Sequence, residues 1–205
     1  MKTKLISGSL KMMISNTILP GTNMKTLQDW KNIVSQLDFA FQPIVNIHSG
    51  ICFAYETLLR GYEKADFESA HDFFDTAYNH KVLYQVDLWL RKKAIKKFLQ
   101  LKYHDKIKLF YNLDNRVVEM PDYSKGNTLN LLKKYQLPRS ALCFEISERH
   151  EFRSYAETKR ILDLYRQQGF KIAIDDYGMG FSGLQLFYHS EPDFIKIDKF
   201  FITNI

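Results

Sequence analysis

Residues 171–176 read KIAIDD, a short apolar run that ends in two aspartates. Such a run, bounded by turn residues, is typical of a buried strand, and successive side chains of a strand point to opposite faces. Ile172 and Ile174 therefore share one face. Ala173 and Asp175 share the other. The pattern predicts a strand whose isoleucines face covering helices and whose carboxylate points inward at the C-terminal end.

The same kind of run recurs along the chain. Residues 109–113, 142–146 and 194–198 are short apolar runs separated by stretches with helical periodicity, which indicates parallel βα units. Ahead of them, residues 39–46 and 51–60 flank a short turn and predict a hairpin of two strands. The predicted helices span residues 69–78, 83–101, 128–135, 152–168 and 182–189.

Polar residues stand at the C-terminal ends of these runs, where a buried strand tolerates them only for a reason. Any one of them alone is most simply a turn former, a cap or half of an ion pair. Together they converge, because the C-terminal ends of barrel strands meet at one mouth. The residues are Glu56, Asn112, Glu145, Asp175, Asp176, Lys196 and Asp198.

Carboxylates brought together repel one another and need a cation to hold them. Carboxylate and amide oxygens favour Mg²⁺ or Mn²⁺ over zinc. The adjacent Asp175 and Asp176 can serve two neighbouring metals, the arrangement that supports in-line attack on a phosphodiester. Lys196 would orient or deprotonate the attacking water.

Five blocks of the sequence resemble the EAL-type cyclic-di-GMP phosphodiesterases over residues 41–203. The resemblance implies a TIM-like (β/α)₈ barrel with an antiparallel opening strand. A complete barrel typically needs roughly 250 residues, so we expect about six of its eight strands, incomplete at the C-terminus. The blocks are FQPIV at 41–45, AYETLLR at 54–60, FEISE at 144–148, IDDYGMGFS at 174–182 and FIKID at 194–198.

The resemblance also implies roles for individual residues. Two Mg²⁺ or Mn²⁺ ions are the implied cofactors, and cyclic di-GMP, opened to the linear dinucleotide, is the implied substrate. Lys196, Glu56 and Asp176 are the implied catalytic residues. The implied metal ligands are Glu56, Asn112, Glu145, Asp175 and Asp176.

Substrate contacts and regulation are implied in the same way. Gln42, Arg60 and Asp198 would contact the substrate. Glu148 would anchor the loop Asp176–Ser182, which in the family couples metal binding to dimerisation, so a homodimer is expected there. The sequence departs from the family pattern at Thr57, Met179 and Gly183.

Two functions follow as hypotheses. The first is metal-dependent hydrolysis of cyclic di-GMP by a protein of which this sequence is a part. The second is a non-catalytic EAL-like regulatory protein that binds cyclic di-GMP or a protein partner. The retained ligand set favours the first hypothesis, and the missing last strands favour the second.

The formal charge of +6 comes mainly from the stretch Arg91–Lys108, which has eight basic residues and one acidic residue. Apolar residues interleave with the first part of this stretch at helical spacing, so the basic residues are predicted to line the solvated face of an amphipathic helix. A role in binding nucleic acid or anionic lipid is the alternative. No recognition motif accompanies the stretch, and we expect no DNA or RNA partner.

The domain organisation is expected to be simple. Residues 1–37 are expected to form a flexible leader and a short amphipathic helix, and residues 38–205 the EAL-type domain. The sequence contains no apolar run of the roughly 20 residues that span a bilayer, so no membrane segment is expected. Cys52 and Cys143 lack a partner motif, which favours reduced thiols and a cytoplasmic location.

Overall fold

The structure is a computed structural model that describes residues 25–147, 155–178 and 183–203. Within these ranges the chain forms six strands and seven α-helices. The strands are β1 (Asp38–Val45), β2 (Cys52–Arg60), β3 (Lys108–Asn112), β4 (Leu142–Ser147), β5 (Lys171–Tyr177) and β6 (Phe194–Ile197). The helices are α1 (Leu27–Gln36), α2 (Ala70–Asn79), α3 (Leu83–Phe98), α4 (Asn127–Lys134), α5 (Tyr155–Gln167), α6 (Gly183–Ser190) and α7 (Lys199–Thr203).

The described strands form one sheet in sequence order from β1 to β6. β1 is antiparallel to β2, and each later strand is parallel to the one before it. This confirms the α/β fold with an antiparallel opening strand. In the described part of the chain, the six strands form an open sheet of the TIM-like type, with β1 and β6 at its edges.

The main hydrophobic core lies between the outer face of the sheet and the helices. Ile172 and Ile174 are fully buried in it, as predicted from their alternation. The same alternation in β6 predicts that Ile195 and Ile197 are buried, and this is wrong, since they are 42% and 57% exposed. β6 is an edge strand, and no helix within the described ranges covers this part of its outer face.

Helix α1 is anchored to the same core as the strands. Thr26 and Asp29 form a capping box at its start, in which the side chain of each bonds to the backbone of the other. Trp30 is completely buried and packs edge-on against Phe73. At the other end, the Lys93 ammonium donates to backbone carbonyls of the last turn, which stabilises the carbonyl end of the helix. The domain boundary at residue 37 stays a prediction.

The basic helix differs from the prediction at Arg91. This side chain is buried rather than solvated, and it forms an ion pair with Asp87 one turn earlier on α3. It also donates to Thr128 and lies over the ring of Phe144 at 4.9 Å. Burial is possible because the i, i+4 carboxylate neutralises the guanidinium. Lys92 and Lys96 are exposed, as predicted.

Candidate active site

The inner face of the sheet carries two layers of side chains, one apolar and one polar. The apolar layer lies toward the N-terminal ends of the strands and contains Ala54, Phe110, Cys143, Ala173 and Phe194. The polar layer stands two residues further along the same five strands and contains Glu56, Asn112, Glu145, Asp175 and Lys196. Because the residues of a strand alternate between faces, each pair shares the inner face.

Lys196 connects three carboxylates of the polar layer. Its Nζ lies 2.9 Å from Oε2 of Glu56, 2.8 Å from Oε1 of Glu145 and 2.9 Å from Oδ1 of Asp175. Four different strands supply these four residues, so the parallel arrangement of β2, β4, β5 and β6 creates the cluster. The predicted convergence of these side chains is therefore present in the structure.

Glu145 is the most deeply buried member of the cluster, with 1% of its surface exposed. Its Oε2 atom has no hydrogen-bond partner among the described residues. Burial raises the pKa of Glu145 to about 8, and Glu56 and Asp175 add to the rise, while Lys196 opposes it. Among the described residues, the site therefore holds a buried carboxylate oxygen to which no group donates.

The pKa of Lys196 is also raised, but for a lysine this shift favours the charged form. Burial by itself would lower the pKa of Lys196, but the charge of Glu145 and the hydrogen bond to Asp175 outweigh burial and raise it. The ammonium thus stays protonated throughout the neutral range. In this arrangement Lys196 is a hydrogen-bond donor.

The donor set fits a divalent cation. One oxygen from each of Glu56, Glu145 and Asp175 can be chosen so that all three lie within 4.8 Å of one another. With all three carboxylates ionised, the single ammonium of Lys196 leaves an excess of two negative charges. Hard oxygen donors with this charge suit Mg²⁺ or Mn²⁺, since both cations prefer oxygen ligands.

Asn112 lies on the neighbouring strand, where it pairs with Glu145 in the β3–β4 register. Its Nδ2 donates to the Thr57 carbonyl at 3.2 Å, and its Oδ1 accepts no hydrogen bond from the residues that the structure describes. The Thr57 side chain is buried and points away from the cluster. Its hydroxyl donates to the Phe110 carbonyl at 2.9 Å, so threonine at this position adds a bond between β2 and β3.

The end of β5 has an unusual backbone. Asp176 has a φ of 54°, in the left-handed region that non-glycine residues seldom adopt. The β5–β6 register shifts between Ile174 and Tyr177, which marks an irregularity at this point. Gly178 follows with a φ of 102°, and a Cβ there would come within 2.6 Å of the Phe201 ring. The backbone thus turns sharply just beyond Asp175.

Asp198 lies at the start of α7 rather than in contact with the cluster. Its side chain is buried and accepts from the backbone N–H of Phe200 at 2.7 Å. Its own N–H donates to the Tyr177 carbonyl at 3.2 Å. These bonds connect the end of β6 to the turn after β5.

The remaining predicted contacts lie at the rim of the site. Gln42 is exposed and is the cross-strand neighbour of Glu56 in the β1–β2 register. Arg60 ends β2 on the same face as Glu56, is exposed, and donates to the Leu59 carbonyl at 2.9 Å. Glu148 and residues 179–182 of the loop Asp176–Ser182 lie outside the described residues.

A cleft of about 220 Å³ opens beside Arg60 and Asn112. Tyr62 and Phe74 are among its lining residues, and sequence reasoning missed both. The position of Tyr62 just after the strand end that carries Arg60 was the available signal. Phe74 reaches the cleft from α2, and a helical pattern gives no indication of that approach.

The fold and the acidic cluster define a class of protein, a TIM-like α/β domain with a candidate divalent-metal site at its strand ends. A family model described as EAL domain matches residues 28–205. The chain belongs to the EAL domain family.

Two curated relatives and one solved structure show the range of similarity. The chain is 27% identical over 177 residues to PdeI of Escherichia coli strain K12, a probable cyclic di-GMP phosphodiesterase, covering 84% of this chain and 22% of PdeI. It is 28% identical over 167 residues to BluF of the same strain, a blue light- and temperature-regulated antirepressor, covering 82% of this chain and 40% of BluF.

The solved structure is the manganese and cyclic di-GMP complex of Klebsiella pneumoniae BlrP1. It superposes with a TM-score of 0.65 at 25% identity, covering 82% of this chain and 42% of that chain. This chain spans less than half the length of each of the three proteins. No helix in the described ranges has the length and apolar character needed to cross a bilayer.

Proposed function

We propose that this chain belongs to a phosphodiesterase that hydrolyses cyclic di-GMP to the linear dinucleotide with the help of Mg²⁺ or Mn²⁺. The observation that carries the proposal is the convergence of Glu56, Glu145 and Asp175 around Lys196 at the C-terminal ends of four strands. Similarity to PdeI and to the BlrP1 complex supports the substrate and the cation.

The metal ligands in this proposal are residues of the polar layer and the turn after it. Glu56, Asn112, Glu145 and Asp175 would hold one cation, and Asp176 would contribute to a second. When bound, a divalent cation neutralises the carboxylates, polarises the phosphodiester and lowers the pKa of water. Oε2 of Glu145 and Oδ1 of Asn112, which have no hydrogen-bond partner in the described part of the chain, support this assignment.

The reaction exchanges one bond at phosphorus for another. The oxygen of a water molecule forms a bond to one phosphorus of the cyclic dinucleotide, one ester P–O bond breaks, and the leaving oxygen takes up a proton. Of the two roles expected for Lys196, orientation of the water is the one that the structure supports, because its raised pKa keeps it a donor.

Substrate binding would use the rim of the mouth. Arg60 would contact a phosphate through a charge-assisted hydrogen bond, with Gln42 and Asp198 as further contacts. The exposed position of Arg60, on the same face of β2 as Glu56, supports this placement. Reorientation of Asp198 would be required, because its Oδ1 already caps α7.

Two further parts of the proposal concern regulation and location. We propose that Glu148 anchors the loop Asp176–Ser182 and that a homodimer forms through this loop. We also propose a cytoplasmic location, which the two free cysteines, Cys52 and Cys143, support.

The test is to measure the hydrolysis of cyclic di-GMP in the presence of Mn²⁺. The protein assayed is the longest natural protein whose sequence includes this chain. We expect the linear dinucleotide to accumulate, and Glu56→Gln to abolish its accumulation. Full activity in excess chelator would contradict the metal site. Absence of turnover in a folded protein that binds both Mn²⁺ and cyclic di-GMP would contradict the catalytic assignment.

The second candidate function is non-catalytic regulation through binding of cyclic di-GMP or a protein partner. Similarity to the antirepressor BluF over 82% of this chain favours it. One measurement distinguishes the two functions, because a non-catalytic regulator binds cyclic di-GMP and releases it without hydrolysis. Recovery of unchanged cyclic di-GMP after long incubation with the Mn²⁺-loaded protein would support the regulator.

A further inference from the structure

The basic stretch Arg91–Lys108 has no role in the proposed function, and the structure divides it into two parts. Four of its basic residues contact other parts of the fold. Arg91 donates to Thr128, Lys93 donates to carbonyls of α1, Lys97 lies 2.6 Å from Asp38, and Nζ of Lys108 lies 5.5 Å from the centre of the Phe53 ring. The remaining question is what the basic residues beyond the end of α3 do.

Lys102 and Lys106 lie in the loop that precedes β3, at the N-terminal end of the sheet. The hairpin turn between β1 and β2 lies at the same end. A groove of about 340 Å³ separates the loop from the hairpin. Its lining residues are Ile51, Cys52, Tyr55, Leu101, Lys102, Tyr103, Lys106 and Ile107. We call Ile47, Ile51, Lys102, Tyr103 and Lys106 the basal surface.

Large apolar side chains of the basal surface face solvent. Ile47 is 89% exposed, Ile51 is 67% exposed and Tyr103 is 54% exposed. Single exposed apolar residues are ordinary, but several together around a groove mark an interaction surface.

The hairpin turn that presents Ile47 is held by its own hydrogen bonds. Oδ1 of Asn46 accepts from the backbone N–H groups of His48 and Ser49 at 3.0 Å each. The Asn46 carbonyl accepts from the backbone N–H of Gly50 at 2.8 Å, and the Asn46 N–H donates to the Ile51 carbonyl at 2.9 Å. The isoleucines therefore project from an ordered turn, and binding would require little further ordering of the backbone.

The lysines are held close to the aromatic ring of the loop. Nζ of Lys102 lies 5.3 Å from the centre of the Tyr103 ring, and Nζ of Lys106 lies 5.9 Å from it. Asp105 is the single acidic residue of this loop. The surface thus combines projecting isoleucines, an amphipathic tyrosine and two ammonium groups.

We propose that the basal surface binds the surface of an anionic membrane. In this arrangement Ile47 and Ile51 enter the boundary between headgroups and acyl chains, and Tyr103 lies at the level of the headgroups. Lys102 and Lys106 contact lipid phosphates while their aliphatic stems follow the apolar surface. The acidic cluster lies at the opposite end of the sheet and faces away from the bilayer.

Charge complementarity selects this partner over two others. Residues 1–24 contain Lys2, Lys4 and Lys11 and no acidic residue, so this segment does not complement the lysines of the basal surface. A second copy of the same surface would place lysines against lysines. The projecting hairpin tip favours a broad, deformable surface over a folded protein that would need a matching cavity.

The experiment is cosedimentation of the full 205-residue chain with vesicles at low ionic strength. Vesicles of phosphatidylcholine containing phosphatidylglycerol are compared with vesicles of phosphatidylcholine alone. We expect binding to the anionic vesicles, little binding to the neutral ones, and progressive release as salt is added.

Matched variants locate the binding surface. Lys102→Glu with Lys106→Glu is expected to weaken binding at least about tenfold, because each lysine near an anionic surface contributes several-fold. Ile47→Ser with Ile51→Ser is expected to weaken it at least about fivefold through loss of apolar burial. The control is Lys64→Glu with Lys125→Glu, an equal charge change in exposed connections that follow the C-terminal ends of β2 and β3. It should change binding less than about twofold.

Circular dichroism of every variant checks that the fold is retained. Failure of the wild-type chain to bind anionic vesicles at low salt would overturn the proposal. So would equal losses in the control variant and in the lysine variant of the basal surface. Binding to polyglutamate with no binding to vesicles would also overturn the proposal, and would indicate an acidic protein as the partner of the basal surface.

Discussion

The two ends of the sheet differ in charge and in burial. At the C-terminal end, Glu56, Glu145 and Asp175 surround one ammonium in a partly enclosed site. At the N-terminal end, Lys102 and Lys106 flank exposed apolar side chains. The net charge of +6 therefore gives no indication that one end of the sheet is acidic and the other basic. An acidic site and a basic surface coexist because parallel strands direct each set of residues to its own end.

The apolar layer separates the two ends. Ala54, Phe110, Cys143 and Ala173 fill the inner face below the acidic cluster. Burial raises the pKa of the Cys143 thiol, which reflects the apolar surroundings of that layer. Charge introduced at one end is therefore expected to have little effect at the other.

The largest expected effect is on catalysis at the acidic end. Glu56→Gln, Asn112→Ala and Asp175→Asn are each expected to lower the rate of cyclic di-GMP hydrolysis at least about 10²-fold, since each removes a metal ligand or its charge. Steady-state turnover with Mn²⁺ measures the effect in the longest natural polypeptide. Lys106→Glu at the basic end is the control and should retain the wild-type rate. A tenfold loss in that control would show that the two ends are coupled.

A smaller effect is expected on stability in the absence of divalent cations. The ordinary pKa of Glu145 is 4.5, and burial raises it to about 8 in the folded chain. Between these values the folded state holds a proton that the unfolded state has lost, so the free energy of unfolding falls as pH rises. We expect a decrease of about 2 kcal/mol, well below the roughly 5 kcal/mol of the full shift, because the site can relax and admit water.

Denaturant unfolding in chelator, repeated across this pH interval, measures the decrease. Glu145→Gln should remove most of the slope, and added Mn²⁺ should reverse it by stabilising the ionised carboxylate. A wild-type chain whose stability rises with pH over the same interval would contradict the raised pKa.

Substrate binding at the rim gives the next prediction. Arg60→Ala is expected to weaken cyclic di-GMP binding by about 1 to 3 kcal/mol through loss of a charge-assisted bond to phosphate. Calorimetry with Ca²⁺ in place of Mn²⁺ measures binding, and recovery of intact cyclic di-GMP afterwards checks that no turnover occurred. Arg60→Lys keeps the charge and should recover part of the affinity. Unchanged affinity in Arg60→Ala would remove Arg60 from the proposed substrate site.

Much of the fold and the composition of the acidic cluster could be predicted because both depend on local alternation. Short apolar runs ending in Glu145 or Asp175 specify a strand, a face and an end of the sheet. The convergence of residues from four strands then follows from parallel connectivity. The capping box of α1 is local in the same way, since Thr26 and Asp29 stand three residues apart.

Features that depend on tertiary contacts could not be predicted in the same way. Asp87 and Arg91 have the spacing of a surface i, i+4 pair, and only the packing of α3 against Phe144 shows that the pair is buried. The left-handed backbone of Asp176 depends on the turn that Gly178 and the neighbouring α7 allow. The exposure of Ile195 depends on which strand forms the edge of the sheet.

The smallest expected effect concerns Thr57, which lies next to Glu56 in sequence but on the opposite face of β2. Thr57→Ala removes the hydroxyl bond to the Phe110 carbonyl and a buried methyl group, so we expect a loss of about 1 to 2 kcal/mol in the free energy of unfolding. The Thr57 carbonyl that orients Asn112 is backbone and remains. Mn²⁺ affinity and vesicle binding should therefore change less than about twofold, as loss of a neutral side chain from the outer face alters the charge of neither end.

Denaturant unfolding and Mn²⁺ titration of the same preparation measure the two quantities together, and Thr57→Ser is the control that keeps the hydroxyl. A tenfold change in Mn²⁺ affinity with unchanged stability would show that the side chain at position 57 acts on the acidic cluster directly.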